Sequence, residues 1–318
     1  MSNKKVLIIG AAGQIGTEIT QELLNIHGEK NIVASDIKEN ATDILGDIQY
    51  ERLNIVDKKS IKEIFSKYEF DYVYHFAAIL SASGEKKPLT TWDINMEGLL
   101  NILEVAKEKK IERIFWPSSI ACFGPTTSKI NTPQKPYMDP TTVYGISKLA
   151  GELWVAYYNQ RFNMDIRSIR YPGIISYKTA PGGGTTDYAI DIFFKALQNG
   201  HYNCSLGPKT ALPMMYMPDA ARATLELMHA NKDRLSVDTS YNVGSFSLNP
   251  DTLHQAIKKH IPNFTISYNL DFRDQLAKSW PSSIDDSQAL KDWGWKAEYD
   301  IEKMTGHMLN NIKVKLDV

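Results

Sequence analysis

Short apolar runs alternate along the first half of the chain with stretches whose apolar positions recur every three or four residues. Val6–Ile9, Ile32–Ser35, Tyr72–Phe76, Arg113–Trp116 and Ile166–Ile169 read as buried strands. Between them the spacing predicts helices near 14–26, 60–68, 92–109 and 144–160. Met96, Leu99, Leu100, Leu103 and Ala106 form one apolar face of the third helix. On the fourth, Ile146, Leu149, Leu153 and Tyr157 are expected to take the core positions. Strands alternating with helices imply right-handed crossovers and a parallel sheet. The expected class is α/β, a doubly wound sheet.

After Tyr171 the pattern loosens. Pro172-Gly173 and Pro181-Gly182-Gly183-Gly184 punctuate the chain, and helices are expected near 185–199, 218–231, 249–260 and 300–313. The stretch 262–299 reads as short strands and loops. A division follows: 1–171 as a Rossmann-type dinucleotide-binding domain and 172–318 as a smaller α/β substrate-binding region, with a soft boundary. The 318 residues, 43% hydrophobic and 23% charged, suffice for a sizeable core. A net charge of −1 shows none of the basic excess of a nucleic-acid binder. Two cysteines cannot build a disulfide framework and suit a reducing compartment. Lys4-Lys5 before Val6–Ile9 faintly mimics a leader, but the run breaks at Gly10 and reads better as a core strand. The expectation is a cytoplasmic protein with no membrane and no nucleic-acid partner.

Gly10-Ala11-Ala12-Gly13-Gln14-Ile15-Gly16 follows the first strand and opens the first helix. Glycines there permit a tight turn, close approach to a pyrophosphate and close helix–strand packing. The helix N-terminus offers N–H groups to phosphates. Asp36 ends the second strand, where a carboxylate can bind a ribose 2′-hydroxyl and repel a 2′-phosphate. Together these features favour NAD.

Tyr144 and Lys148 are four apart and share a helix face. An ammonium about 6 Å from a phenol, at an effective dielectric near 20, favours the phenolate by roughly 3 kcal/mol. Such a tyrosine can take a proton from an alcohol. Ser118-Ser119 closes a strand at the edge where ligands bind, and a hydroxyl there can hold a substrate oxygen. His75 has no His, Cys or Asp cluster around it, reads as structural, and no metal is expected.

In order along the chain, the glycine loop, His75-Phe76-Ala77-Ala78, Asn95, Ser118-Ser119, Tyr144/Lys148 and Arg170-Tyr171-Pro172-Gly173 resemble the extended short-chain dehydrogenase/reductase family over nearly the full length. The resemblance implies Ser119, Tyr144 and Lys148 as catalytic residues. It implies an NAD site from Gly10, Gly13, Gln14, Ile15, Gly16, Asp36, Ile37, Asn54, Ile55, Ala77, Ala78, Asn95, Tyr144, Lys148, Tyr171, Pro172, Gly173 and Ile174. Asn54 stands where many relatives carry an aspartate. Relatives pair the helices near 92–109 and 144–160 across a two-fold axis, which implies a homodimer.

Within that family, Gly182-Gly183-Gly184-Thr185-Thr186-Asp187-Tyr188, Met214-Met215-Tyr216-Met217-Pro218 and Ser279-Trp280-Pro281 resemble the short-chain L-threonine 3-dehydrogenases. The activity so implied is NAD-dependent oxidation of L-threonine to 2-amino-3-oxobutanoate, a small amino-acid substrate held by Ser81, Ser119, Tyr144, Gly184, Thr185, Thr186 and Trp280. Thr185 or Thr186 is expected to cap the next helix, an end that suits a carboxylate. Ser81 can equally be a loop serine and Trp280 a packing aromatic. Leu212 stands where nucleotide-sugar enzymes of the family carry an arginine for the substrate diphosphate. The rival activities are a nucleotide-sugar epimerase or dehydratase and a non-catalytic dinucleotide sensor, which would have little use for Tyr144/Lys148.

Overall fold

The computed structural model describes residues 4–178 and 184–317. Six parallel strands stand side by side in the order Tyr50–Arg52, Ile32–Asp36, Val6–Ile9, Tyr72–His75, Arg113–Phe115 and Ile166–Arg167. Val6 lies opposite both Ile32 and Tyr72, so the first strand is central. The chain winds outward in both directions from it, which opens a crevice at the carboxyl edge between Val6–Ile9 and Tyr72–His75.

The central strands are apolar over most of their length because both faces are covered, with Ser35, Asp36 and His75 only at their carboxyl ends. Val6, Ile8, Ile32, Ala34, Tyr72 and Tyr74 pack on one face with Ile19 and Leu23 of the helix Gln14–His27. Leu7, Ile9, Val33 and Val73 pack on the other with residues of the helices Lys58–Lys67, Gly98–Glu108 and Val143–Phe162.

Three smaller sheets extend this frame. Ser118–Ser119, Ile169–Tyr171 and Tyr241–Asn242 pair in parallel. Leu212–Tyr216 joins Gly173–Ile175 in parallel and Phe246–Leu248 antiparallel. His201–Cys204 pairs with Thr265–Tyr268. A separate apolar cluster, with Phe123, Ile175, Phe193, Tyr216, Trp280 and Met304, fills the second region. The helices Met217–His229 and Ser287–Trp293 return to the first core through Leu227 and Ala289.

Several local expectations are corrected. The stretch 262–299 contains two helices, Phe272–Ser279 and Ser287–Trp293. Asp271 caps the first of these by accepting the Arg273 N–H. The expected helix at 92–109 is broken into Pro88–Trp92, a wide π-turn over Asp93–Glu97 and Gly98–Glu108. The run Ile166–Ile169 splits between two sheets at Ser168. The fourth helix buries a different face from the one its apolar spacing suggested. Ile146, Leu153 and Tyr157 are exposed and Leu149 is half-buried, whereas Gly145, Ser147, Lys148, Gly151, Glu152, Val155 and Tyr158 face inward. Small residues and a buried charge occupy the inner face because the helix lies very close to the sheet edge. No helix among the described residues is long and apolar enough to cross a membrane.

That close approach is testable at Gly151, where a Cβ would lie 2.3 Å from Cη2 of Trp116. Gly151→Ala gains about 1 kcal/mol of helix propensity and meets a rigid buried ring, an overpacking cost of about 1–3 kcal/mol. We expect net destabilisation, read as a lower thermal midpoint; an unchanged or higher midpoint would contradict the packing.

Candidate active site

A cavity of about 1130 Å³ runs along the carboxyl edge of the sheet, from the glycine loop past Ser119, Tyr144 and Lys148 to Thr185 and Trp280. At its first end Gly10 has φ +79°, and a Cβ there would stand 2.6 Å from the Ala77 nitrogen. A Cβ on Gly16 would stand 2.2 Å from the Gly10 carbonyl oxygen. Only glycine fits either position. The helix that follows has no side-chain cap at Gly13 and no acidic residue in its first turn. Its N-terminus is therefore free to receive an anion. Gln14 lines the cavity with a buried Nε2 that has no partner. This cradle fits a dinucleotide pyrophosphate.

Asp36 reaches the same loop. Its Oδ2 accepts the Ala12 N–H at 3.1 Å and its Oδ1 the Lys38 N–H at 3.3 Å. Asp36, Ile37, Asn54, Ile55, Ala77 and Asn95 stand outside the cavity lining. Ala77 backs Gly10, and Ile55 packs where a Gly98 side chain would be. Asn54 is exposed and accepts the Val56 N–H at 3.3 Å. Asn95 is a tie: it pairs twice with the Ile79 backbone and donates to Ser147 Oγ at 3.2 Å. It thereby joins the loop after Tyr72–His75 to the helix Val143–Phe162. The remaining expected cofactor residues, Gly10, Gly13, Gln14, Ile15, Gly16, Ala78, Tyr144, Lys148, Tyr171, Pro172, Gly173 and Ile174, all line the cavity.

Ser119, Tyr144 and Lys148 meet at its centre. Thr142 caps their helix by accepting the Gly145 N–H at 3.0 Å. The Lys148 ammonium donates to the Pro117 carbonyl at 2.6 Å, 4.5 Å from the Trp116 ring and 5.6 Å from the Tyr144 ring. Here the structure corrects the electrostatic expectation. Burial pushes the Tyr144 phenol up to about 12, and a hydrogen bond with Ser119 only partly opposes it. Burial pushes Lys148 down to about 7, with Glu152 pulling it upward. The lysine's charge favours the phenolate, but desolvation of the tyrosine itself outweighs it. His75 is buried and pushed down to about 3 by its apolar surroundings. Among the described residues, no group of three or more His, Cys, Asp and Glu is placed to hold a metal.

At the second end Ser81 and Thr185 are both buried, their hydroxyls 3.1 Å apart, and the Thr185 N–H donates to Ser81 Oγ at 3.3 Å. Gly184, Thr186 and Trp280 line the same end. Neither threonine caps the next helix, which starts at Tyr188 with Asp187 before it. The Asp187 carboxylate instead turns back to accept the Gly184 N–H at 2.8 Å. Gly182 and Gly183 of this loop lie outside the described residues. Leu212 is wholly buried in the core. Among the described lining residues the cations are Lys38, Lys148 and Lys178, with no arginine.

The model of the NAD dependent epimerase/dehydratase family matches residues 6–244. The chain belongs to this family. Relatives in Staphylococcus aureus, 44% identical over 314 residues and covering 98% of both chains, are described only as uncharacterized epimerase/dehydratases. The holo form of a GalE-like L-threonine dehydrogenase from Cupriavidus necator is 50% identical with a TM-score of 0.95, over 97% of this chain and 100% of that one. The L-threonine dehydrogenase of Clostridium difficile is 44% identical with a TM-score of 0.95, over 99% of each chain. As a family member with this cradle, the chain binds NAD, and it is an NAD-dependent oxidoreductase.

Sequence reading missed Glu152 and the role of Arg170, which meet behind Lys148. It also missed Lys178, which lines the cavity and pairs with Glu18 at 2.6 Å. The spacing of Glu152, one turn after Lys148, was the available signal.

The place of Asp36 gives a prediction. Asp36→Ala should narrow the preference for NAD over NADP. It should also weaken NAD itself by about ten- to a hundredfold, since the expected charge-assisted bond to the ribose hydroxyl is lost together with the tie that holds the Ala12 loop. Titration of both cofactors checks this; unchanged affinity for both would contradict it.

Proposed function

We propose that this family member oxidises L-threonine at its 3-hydroxyl to 2-amino-3-oxobutanoate. The full-length likeness to L-threonine dehydrogenases at up to 50% identity carries the reading. The small polar pocket at Ser81 and Thr185 supports it. Bound NAD supplies the hydride acceptor. Tyr144 takes the proton of the 3-hydroxyl, and Ser119 holds that oxygen as it becomes a carbonyl. Lys148, fixed at the Pro117 carbonyl, stabilises the phenolate to the extent that Glu152 keeps it protonated against burial. The substrate carboxylate sits at the hydroxyls of Thr186 and of Thr185, whose hydroxyl hydrogen stays available when Ser81 donates in their 3.1 Å contact, while Trp280 closes the pocket wall. Residues after 171 supply this substrate-facing part. A nucleotide-sugar activity lacks support at Leu212, and the UDP-glucose 4-epimerase of Thermotoga maritima, 20% identical, shares the fold alone.

We also propose a homodimer. Ile146, Leu153, Trp154 and Tyr157 expose an apolar strip on the helix Val143–Phe162, beside exposed Leu89 and Trp92. A second copy would cover it through paired helices. One solved relative is described as monomeric, so solution mass decides. Light scattering should give twice the 35.9 kDa chain mass, and Leu153→Glu should return it to one.

NADH formation with threonine, serine and a UDP-hexose in parallel tests the activity. Turnover should be highest with threonine; turnover only with the UDP-hexose would reverse the assignment. Tyr144→Phe should cost about 10²–10⁴ in kcat with NAD binding retained. Because Tyr144 sits well above its ordinary value, its base form grows with pH. Activity should therefore climb from neutral to alkaline pH, and a flat profile would count against this base. Thr185→Ala should lower kcat/KM for threonine about ten- to a hundredfold through lost hydrogen bonds to a charged group. A change under twofold would place the carboxylate elsewhere.

A further inference from the structure

Behind the three central groups lies an ion pair that the chemistry above does not use. Glu152 is 0% exposed and Arg170 2%. The guanidinium meets the carboxylate along one edge, Nε to Oε1 at 2.9 Å and Nη2 to Oε2 at 2.7 Å. Ser118 Oγ donates to the same Oε1 at 2.6 Å. Arg170 Nη1 donates to the Gln134 carbonyl at 2.7 Å and to Asn242 Oδ1 at 3.0 Å. Such a pair adds little net stability, because desolvating two charges offsets most of their attraction. Its placement is the informative feature.

Glu152 stands one helical turn beyond Lys148 and two beyond Tyr144 on Val143–Phe162. Ser118 immediately precedes Ser119, and Arg170 immediately precedes Tyr171, which lines the cavity. Ser118 and Arg170 are opposite each other in the parallel pair. One carboxylate therefore joins the helix that carries Tyr144 and Lys148, the strand end that carries Ser119 and the strand that leads into Tyr171–Ile174. A Cβ at Gly145 would stand 2.1 Å from the Ala121 carbonyl, so the helix has little room to shift.

We propose that Glu152 is a positioning residue, which through Ser118 and Arg170 sets Ser119 against Tyr144 and holds a carboxylate one turn from the Lys148 ammonium. Lys148 meets Tyr144 and Glu152 on its own helix, the Pro117 carbonyl and Trp116 ring from the strand end, Cys122 from the turn after it, and His75 from the neighbouring strand. Glu152 is the one carboxylate in that set. Burial keeps His75 neutral and raises the Cys122 thiol well above its ordinary value, so neither replaces it. Loss of the Glu152 charge makes the ammonium harder to keep, and Tyr144 then needs a higher pH to ionise. Loss of its reach lets Ser119 and Tyr144 drift apart, an error of about 1 Å that can cost about a hundredfold.

Three variants separate these effects. Glu152→Gln keeps the shape and removes the charge. Glu152→Asp keeps the charge and shortens the reach. Ser118→Ala cuts the tie to the strand end and leaves the ion pair. The inference rests on the threonine reading for its turnover assay, so the ionisation of Tyr144 is also followed without substrate. The readout is ultraviolet difference titration of the NAD-bound protein against the same protein carrying Tyr144→Phe.

Glu152→Gln should lower kcat about tenfold to a hundredfold. It should move both the ascending pH limb and the Tyr144 titration up by about half a pH unit or more. Glu152→Asp should lose kcat but keep the limb in place. Ser118→Ala should lower kcat severalfold with the KM for NAD unchanged. Absence of turnover in the unaltered protein would sink the threonine reading and leave the titration to decide this one. Should Glu152→Gln not fold, Ser118→Ala and Glu152→Asp decide it. Folded variants with kcat within twofold of the unaltered protein and an unmoved Tyr144 titration would overturn the proposal.

Discussion

The helix Val143–Phe162 lies against the strand end Trp116–Ser119 with almost no space between them. A side chain on Gly145 would meet the Ala121 carbonyl, and one on Gly151 would meet the Trp116 ring. This contact places Lys148 over Trp116 and within reach of Pro117, and places Tyr144 beside Ser119. Were the helix a few ångströms further out, water would reach the ammonium and the phenol. The spacing of the glycine-rich inner face thus decides the solvent environment of the whole centre.

Dry surroundings change the chemistry in a definite direction. Both Tyr144 and Lys148 are driven toward their neutral forms. A charge that develops there is felt strongly, because little solvent screens it. Oxidised NAD, which the lining of this cavity would hold, would add positive charge that favours the phenolate. The buried carboxylate of Glu152, neutralised by Arg170, supplies a fixed counter-field at low cost to the fold. The cavity is graded from end to end: the glycine loop and a helix N-terminus, then a dry centre at Tyr144 and Lys148, then the paired hydroxyls of Ser81 and Thr185.

Much of this was legible in the chain. The strands Val6–Ile9, Ile32–Asp36 and Tyr72–His75 are apolar up to their carboxyl ends because both sheet faces are covered, and that pattern is local. The glycine loop was legible because φ and close approach restrict the residue type at single positions. Ser119, Tyr144 and Lys148 were found from strand-end position, helical spacing and family resemblance, and they do meet. Where the reading failed, a local rule competed with a distant contact. Ile146, Leu153 and Tyr157 have core spacing, yet the sheet claims the face of Gly151 and Glu152. Thr185 looked like a cap, yet its hydroxyl and N–H are taken by Ser81, more than a hundred residues earlier.

By itself the sequence determined the class of sheet, the dinucleotide cradle and the tyrosine–lysine pair that meets Ser119 in the cavity. Each depends on residue types at short fixed spacings: glycines across one turn, an acid at one strand end, tyrosine and lysine on one helix face. Tertiary structure alone decided which face of the helix Val143–Phe162 is buried. It decided that Asn95 serves as a tie to Ser147 and that Arg170, Glu152 and Ser118 converge. It also reversed the expected balance at Tyr144. The reason is the same in every case. Burial and partner choice are properties of surfaces brought together from distant parts of the chain, and desolvation, which local spacing does not encode, outweighs a single nearby charge.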